Sequence, residues 1–185
     1  YDAMIDTLAA LHSVDFEKAG LSDYGKPGNY FGRQVDRWTK QYRLSETETM
    51  PEMERLIEFL PATLPEQTRT SIVHGDYRID NMIFAANEPK VIAVLDWELG
   101  TLGDPLADLA YALNFWPDPM DSVVTKEDAA TGVPGFPGRA YMAQRYAERT
   151  GRDLSRLDYY VGFNRWKSAA IVHGVYARYM EGKKS

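Results

Sequence analysis

Three residues could carry chemistry together: Asp76, Asn81 and Asp96. Asp76 lies in the polar stretch HGDYRIDN, just after the apolar pair Ile72-Val73, and Asn81 follows it by five positions. Asp96 closes the apolar run Val91-Ile92-Ala93-Val94-Leu95. Metal-assisted phosphoryl transfer needs one carboxylate to orient or deprotonate an attacking hydroxyl. It also needs hard oxygen ligands for Mg²⁺, from a carboxylate and an amide carbonyl. Asp76 suits the first role, and Asn81 and Asp96 suit the second. Each has an ordinary alternative, because Gly75-Asp76 is common turn chemistry and Asn81 alone would be a loop asparagine. His74 reads as structural, its ring bonding local backbone. Asp80 and Glu98 read as structural or solvated acids, although Glu98 could touch the second metal region.

Short strands must position these groups. Met82-Ile83-Phe84 begins one strand, Asn87-Glu88-Pro89 turns it, and residues 90–95 return antiparallel. A hairpin brings its open ends together. Asn81 before the first strand and Asp96 after the second therefore become neighbours, with Asp76 beside them.

Helices surround this hairpin. Residues 1–13 place Met4, Ile5, Leu8, Leu11 and His12 on one side, with His12 buried or capping. Residues 14–30 read as a loop. Phe31, Val35, Trp38 and Tyr42 share one helical face, read as core packing, with a ligand-stacking stripe as the alternative. Thr49-Met50-Pro51-Glu52 has the form of a capping box. It opens a third helix with the core face Met53, Leu56, Ile57 and Leu60, ended by Pro61 and Pro65. Asp104 as N-cap and Pro105 at the first position open a fourth helix, burying Leu106, Leu109, Ala110 and Leu113. Residues 117–138, rich in proline and glycine, form a long irregular connection that reads as a lid or a linker. A helix near residues 139–150 stops at Gly151. A long helical stretch from about Ser155 to Tyr179 is expected to break near Gly162 or Gly174.

At these residues the chain resembles the aminoglycoside-phosphotransferase-like kinases. HGDYRIDN resembles their catalytic loop, which has His-Gly-Asp where protein kinases have His-Arg-Asp. LDWE resembles the second metal motif, and GDPLADLA the helix start after it. HGDYR, LDWE, GDPLADLAY and the C-terminal IVHGVYARY together resemble one subgroup, the phosphotransferase domain fused to acyl-CoA dehydrogenases and its free-standing bacterial relatives. The resemblance covers about residues 1–182. It implies an ATP- or GTP-dependent, Mg²⁺-dependent transfer to a small-molecule hydroxyl, with Asp76 as base and Asn81 and Asp96 on metal and nucleotide. Arg78 stands where serine/threonine protein kinases place a lysine against the transferring phosphate, so it could neutralise charge there. A salt bridge to Asp80 or Asp104 is its alternative. The resemblance also implies that Asp104 and Asp108 brace the catalytic loop, and for Asp104 capping stands beside that. The subgroup points to a hydroxy acid or hydroxyacyl-CoA as acceptor; the family name points to an aminoglycoside, though only from distant members.

Composition bounds the rest. The chain has 185 residues, 44% hydrophobic and 12% aromatic, enough for one packed domain. No apolar run approaches the roughly 20 residues of a membrane span. The opening residues read as helix rather than signal peptide, and cysteine is absent, so the expectation is a cytoplasmic protein without disulfides or thiolate metal sites. A formal net charge of −6 with no basic block argues against a nucleic-acid partner.

One family feature is missing. Gly25, Gly28 and Gly32 in GKPGNYFG do not match a phosphate-binding glycine loop followed by a strand lysine, and read as turn glycines. The expected fold is therefore α+β: the protein-kinase-like large, C-terminal lobe, mostly helical with small antiparallel hairpins, without the small N-terminal lobe. Residues 1–185 form one domain. It divides into a helical part at 1–70, the catalytic loop, hairpin and metal motif at 71–116, the long loop at 117–138 and the last helices at 139–185. The missing lobe of the same protein and a hydroxyl substrate are the expected partners. A non-catalytic kinase-like binding module and a Mg²⁺-dependent phosphohydrolase remain as alternatives.

Overall fold

Apolar side chains at helical spacing build most of the molecule. The computed structural model describes residues 1–114, 116 and 134–182. Most of the 117–138 connection therefore lies outside the described residues. Helix α1 (Asp2–Ser13) buries Met4, Ile5, Leu8, Ala9 and His12. Helix α2 (Tyr30–Ser45) buries Phe31, Val35 and Tyr42, while Trp38 on the same face is only half-buried. Helix α3 (Pro51–Ala62) buries Met53 and Leu60, with Leu56 and Ile57 packed beside the core.

The start and end of α3 differ from expectation. Its N-cap is Met50, no side chain caps it, and the capping box at Thr49 does not form. Pro51 at the first helical position needs no N–H there, which removes one of the donors a cap would serve. Pro61 does not end the helix, because in the last turn it removes a single hydrogen bond. Thr63 still closes the turn, donating its N–H (3.1 Å) and its hydroxyl (2.8 Å) to the Phe59 carbonyl.

Two small antiparallel sheets follow. Strands β2 (Met82–Phe84) and β3 (Val91–Val94) form the expected hairpin, with Met82 opposite Val94 and an irregularity at Ile83/Phe84. The second sheet is not a hairpin. Strand β1 (Ser71–Val73) pairs with β4 (Thr101–Gly103), so the whole segment from His74 to Gly100 is a loop closed by that pairing.

Helix α4 (Leu106–Leu113) is buried at every position except Tyr111. Helix α5 (Arg139–Thr150) ends at Gly151, whose φ of +67° is the left-handed conformation that suits glycine. Helix α6 (Leu157–Met180) runs unbroken through Gly162 and Gly174, contrary to expectation. A helical glycine costs about 1 kcal/mol relative to alanine. Burial of Tyr159, Tyr160, Phe163, Trp166 and Ala170 against α2 and α4 outweighs that. At its centre Phe31 meets Tyr160 and Phe163 edge-on, with ring centroids 4.7 and 4.9 Å apart. Among the described residues no helix is long and apolar enough to cross a membrane.

Candidate active site

The loop after β1 is held from beneath by one buried carboxylate. Asp108, in the first turn of α4 and 1% exposed, accepts hydrogen bonds from the backbone N–H groups of His74 (2.6 Å) and Gly75 (2.8 Å). His12 of α1 supports it from the other side, with Nε2 3.3 Å from the same carboxylate and Nδ1 2.7 Å from the Tyr146 hydroxyl. Burial drives the His12 pKa below its ordinary value, against the pull of Asp108. The ring is therefore neutral, donating to Asp108 and accepting from Tyr146.

Asp104 does the other task. The N-cap position falls on Pro105, one residue later than expected, yet the Asp104 carboxylate still accepts from the first helical N–H, that of Leu106, at 3.0 Å, and from the Tyr160 hydroxyl at 3.3 Å. Of the two acids, Asp108 braces the loop and Asp104 caps the helix. Burial raises the Asp104 pKa, opposed by those same hydrogen bonds.

His74 links the loop to the end of β3. Its Nδ1 accepts from the Asp76 N–H at 3.2 Å, which leaves Nε2–H to donate to the Leu95 carbonyl at 2.7 Å. Gly75 adopts φ +87°, and a Cβ there would lie 2.8 Å from the Leu99 carbonyl oxygen. Only glycine fits. Tyr77 fastens the loop to α1 by donating to the Met4 carbonyl at 2.7 Å.

Asp76 is thereby presented at a cleft of about 810 Å³. The Tyr111 hydroxyl donates to its Oδ1, and Asn81 Nδ2 donates to its Oδ2 at 2.9 Å. With one bond on each oxygen, the carboxylate is oriented yet keeps lone pairs for an incoming hydroxyl. The Tyr111 pKa is pushed up to about 12, mainly by burial and then by the Asp76 bond, so its hydroxyl remains a donor at neutral pH.

Asn81 lies in a short turn, Ile79–Asn81, just before β2, and its carbonyl accepts the Leu95 N–H at 2.8 Å. The hairpin thus brings Asn81 to the residue preceding Asp96. Both donated bonds of the Asn81 side chain use nitrogen and go to Asp76, so its amide oxygen has no hydrogen-bond partner among the described residues. Asp96 is exposed and left-handed, at φ +64°. A non-glycine residue there carries strain, the kind of outlier often kept at functional sites. Neither Asn81 nor Asp96 lines the Asp76 cleft; they lie at the hairpin's open end beside it.

Arg78 pairs with Asp80, the alternative its sequence position left open, and the electrostatic influence of Asp76 and Tyr111 also reaches it. That pairing raises the Arg78 pKa further. Glu98 lines the cleft. Several cleft residues were not singled out from the sequence: Tyr111, Lys167, Arg33 and Arg37. Tyr111 had a signal, since it follows Asp108 by three positions and so lies on the same side of α4. Lys167 had none, being more than fifty positions from Asp76, Glu98 and Tyr111. Trp38 departs from the pure core reading and forms part of the cleft wall. A larger open cavity, about 1220 Å³, lies between the start of α1 and the β2–β3 turn and does not include Asp76.

Comparison with known proteins agrees with this geometry. The pattern of the phosphotransferase enzyme family matches residues 1–157. The chain is 43% identical over 188 residues to acyl-CoA dehydrogenase family member 10 of Mus musculus, covering all of this chain and 18% of that protein. It is 36% identical over 190 residues to human acyl-CoA dehydrogenase family member 11, covering 24% of it. The chain thus spans about a fifth to a quarter of these relatives. A crystal structure from Ralstonia eutropha, provisionally described as an aminoglycoside phosphotransferase, superposes with a TM-score of 0.89 at 43% identity. That match covers all of this chain and 57% of the other. Macrolide 2'-phosphotransferase from Brachybacterium faecium shares the fold at 21% identity and a TM-score of 0.63, over 97% of this chain and 55% of that one. With the braced HGD loop, the hairpin and this match over most of its length, the chain belongs to the phosphotransferase enzyme family.

Proposed function

We propose that the protein transfers the γ-phosphoryl group of ATP, or of GTP, to a hydroxyl on a small molecule. The observation that carries this reading is Asp76, held by Tyr111 and Asn81 at the wall of a cleft, with Asn81 joined through the hairpin to the residue before Asp96. The acceptor hydroxyl oxygen forms a bond to the γ-phosphorus. The bond between that phosphorus and the β–γ bridging oxygen breaks, nucleoside diphosphate leaves, and the hydroxyl proton passes to Asp76.

The donor set fits Mg²⁺. Asn81 offers an unpartnered amide oxygen, and Asp96 offers an exposed carboxylate. Among the described residues no cluster of three or more His or acidic groups could cage a metal. Mg²⁺ favours such a sparse set, because it keeps several waters and takes its remaining ligands from substrate phosphates. When bound, the ion would offset phosphate charge. Arg78, near Asp76 yet tied to Asp80, would add to that only after exchanging its partner.

The chain is proposed to be the large lobe of a kinase-like enzyme, with the small lobe elsewhere in a longer protein. The acceptor is proposed to be a hydroxy acid or hydroxyacyl-CoA. The names of the dehydrogenase relatives support that class, and an aminoglycoside is a poorer fit. The test supplies nucleotide and Mg²⁺ to the full-length protein, with and without a panel of alcohols, and follows both free phosphate and phosphorylated acceptor. Acceptor-dependent product is expected. Phosphate release indifferent to acceptor would make the protein a phosphohydrolase, and no nucleotide turnover at all would make it a binding module.

A further inference from the structure

The cleft beside Asp76 has a charge balance unlike the rest of the chain. The protein carries a formal net charge of −6. Yet Lys26, Arg33, Arg37 and Lys167 line this one cleft, against the acids Asp76 and Glu98. Several arginines elsewhere meet carboxylates, as Arg43 pairs with Glu46 and Glu54 and Arg145 with Asp2 and Asp6, while Arg152 and Arg156 bond to neutral oxygens. Among the described residues none of the four cleft cations forms such a pair. Arg33 donates only to the backbone carbonyls of Gly28 and Lys26.

Lys167 is the cation set deepest among aromatic groups. It projects from α6, half-buried, with its ammonium 5.4 Å from the centre of the Trp38 ring and 5.7 Å from that of Tyr111. Burial lowers its pKa, partly countered by Asp108 and Asp76. Ring faces attract a cation but supply no counter-charge, so a desolvated ammonium so placed costs stability until an anion joins it. Tyr111 connects this position to the chemistry, since the ring beside Lys167 also presents its hydroxyl to Asp76. Ile171 and Val172, 42% and 66% exposed, line the same cleft and offer an apolar flank.

We infer that Lys167 determines acceptor specificity: it binds an anionic group of an amphiphilic hydroxyl compound, so that the hydroxyl reaches Asp76. This rests on the phosphotransferase reading of the same site. A polycationic acceptor would instead meet four like charges, which makes the cleft selective by repulsion as well as attraction.

The test compares three acceptors on the full-length protein: a medium-chain hydroxy fatty acid, its methyl ester and its CoA thioester. Lys167→Met keeps the stem and removes the charge; Lys167→Arg keeps the charge. A hydrogen bond to a charged group corresponds to about 10- to 100-fold in binding. KM for the anionic acceptor should rise by about that factor in Lys167→Met and largely recover in Lys167→Arg. The ester KM and all kcat values should move little. Preference for the acid assigns the anion to its carboxylate, and preference for the thioester assigns it to the phosphates. Equal effects on acid and ester, or no discrimination by the wild type, would overturn the inference. Calorimetric titration of the acid and of the thioester, with no nucleotide present, separates the two readings. Binding of either anion that is lost in Lys167→Met, without any transfer, keeps the Lys167 assignment and rejects the kinase. Transfer without Lys167-dependent binding does the reverse.

Discussion

Asp76 meets three demands at once: it is oriented, it faces the cleft, and it retains room for a hydroxyl. Asp76→Asn keeps the shape and removes the proton-accepting charge, so kcat should fall by about 10²–10⁴-fold with nucleotide affinity little changed. Tyr111→Phe removes one orienting donor and should cost less, roughly ten- to a hundredfold. Asp96→Asn should act differently, raising the Mg²⁺ concentration needed for activity. Steady-state kinetics over a Mg²⁺ series checks all three. Asp76→Asn altering metal dependence alone would mean the two acids exchange roles. His12 offers a separate test through pH. Its folded-state pKa lies below the ordinary 6.5 because burial disfavours the charge. Between those two values the unfolded chain binds the extra proton, so stability is present above about pH 6.5 and declines as pH falls below it. The slope should approach, at most, about 1.4 kcal/mol per pH unit, and His12→Gln should flatten it. Urea melts from pH 7.5 to 5.5 measure this, and an unchanged slope in the variant would show that His12 is not responsible.

At the scale of elements, α4 works as the platform of the site. One turn of it supplies Asp108 to the loop backbone and Tyr111 to Asp76. Asp108→Ala would leave two N–H groups and the His12 ring unmatched. At about 1–3 kcal/mol for each buried unsatisfied group, a loss of at least about 3 kcal/mol is expected, visible as a Tm lower by roughly 10 °C, together with loss of activity. Asp108→Asn retains one acceptor and should be intermediate. Helix α6 gives a prediction of opposite sign. A Cβ added at Gly162 would meet nothing within 4 Å. Gly162→Ala should therefore stabilise the protein by about 0.5–1 kcal/mol in chemical denaturation, leaving activity unchanged.

At the scale of the whole molecule, the hairpin presents an apolar outer surface: Ile83 is 44% exposed, Ile92 59% and Leu95 43%. Trp97 and Leu99 continue it. The proposed small lobe would cover such a surface and bring the phosphate-binding loop that residues 1–185 do not show. Residues 1–185 alone should then bind ATP poorly and transfer no measurable phosphate. They should also self-associate in sedimentation experiments, and Ile92→Asp should reduce that association. Robust turnover by residues 1–185 would refute the two-lobe proposal.

The local parts of this design are legible in the order of residues. Two apolar runs and a turn produce the β2–β3 hairpin, helical spacing produces α1 and α2, and Gly151 stops α5, because each depends on neighbours within a few positions. The meeting of Asn81 with the end of β3 follows from the hairpin alone. The failures lie where distant packing overrides local preference. Gly162 reads as a break, but the core around Phe163 and Trp166 holds α6 straight. Pro61 reads as a stop, yet sits where only one hydrogen bond is lost. Asp104 and Asp108 look equivalent by type, and only the path of the loop over α4 separates capping from bracing. The cleft itself belongs to tertiary structure. Tyr111 reaches Asp76 across 35 positions, and Lys167 arrives from α6 to lie between Trp38 of α2 and Tyr111 of α4. The sequence by itself singled out Asp76, Asn81 and Asp96, the groups on which the proposed transfer rests. Which cations stand around the cleft was decided by how α2, α4 and α6 pack, since charges that are solvated and screened apart along an unfolded chain come together only when the helices meet.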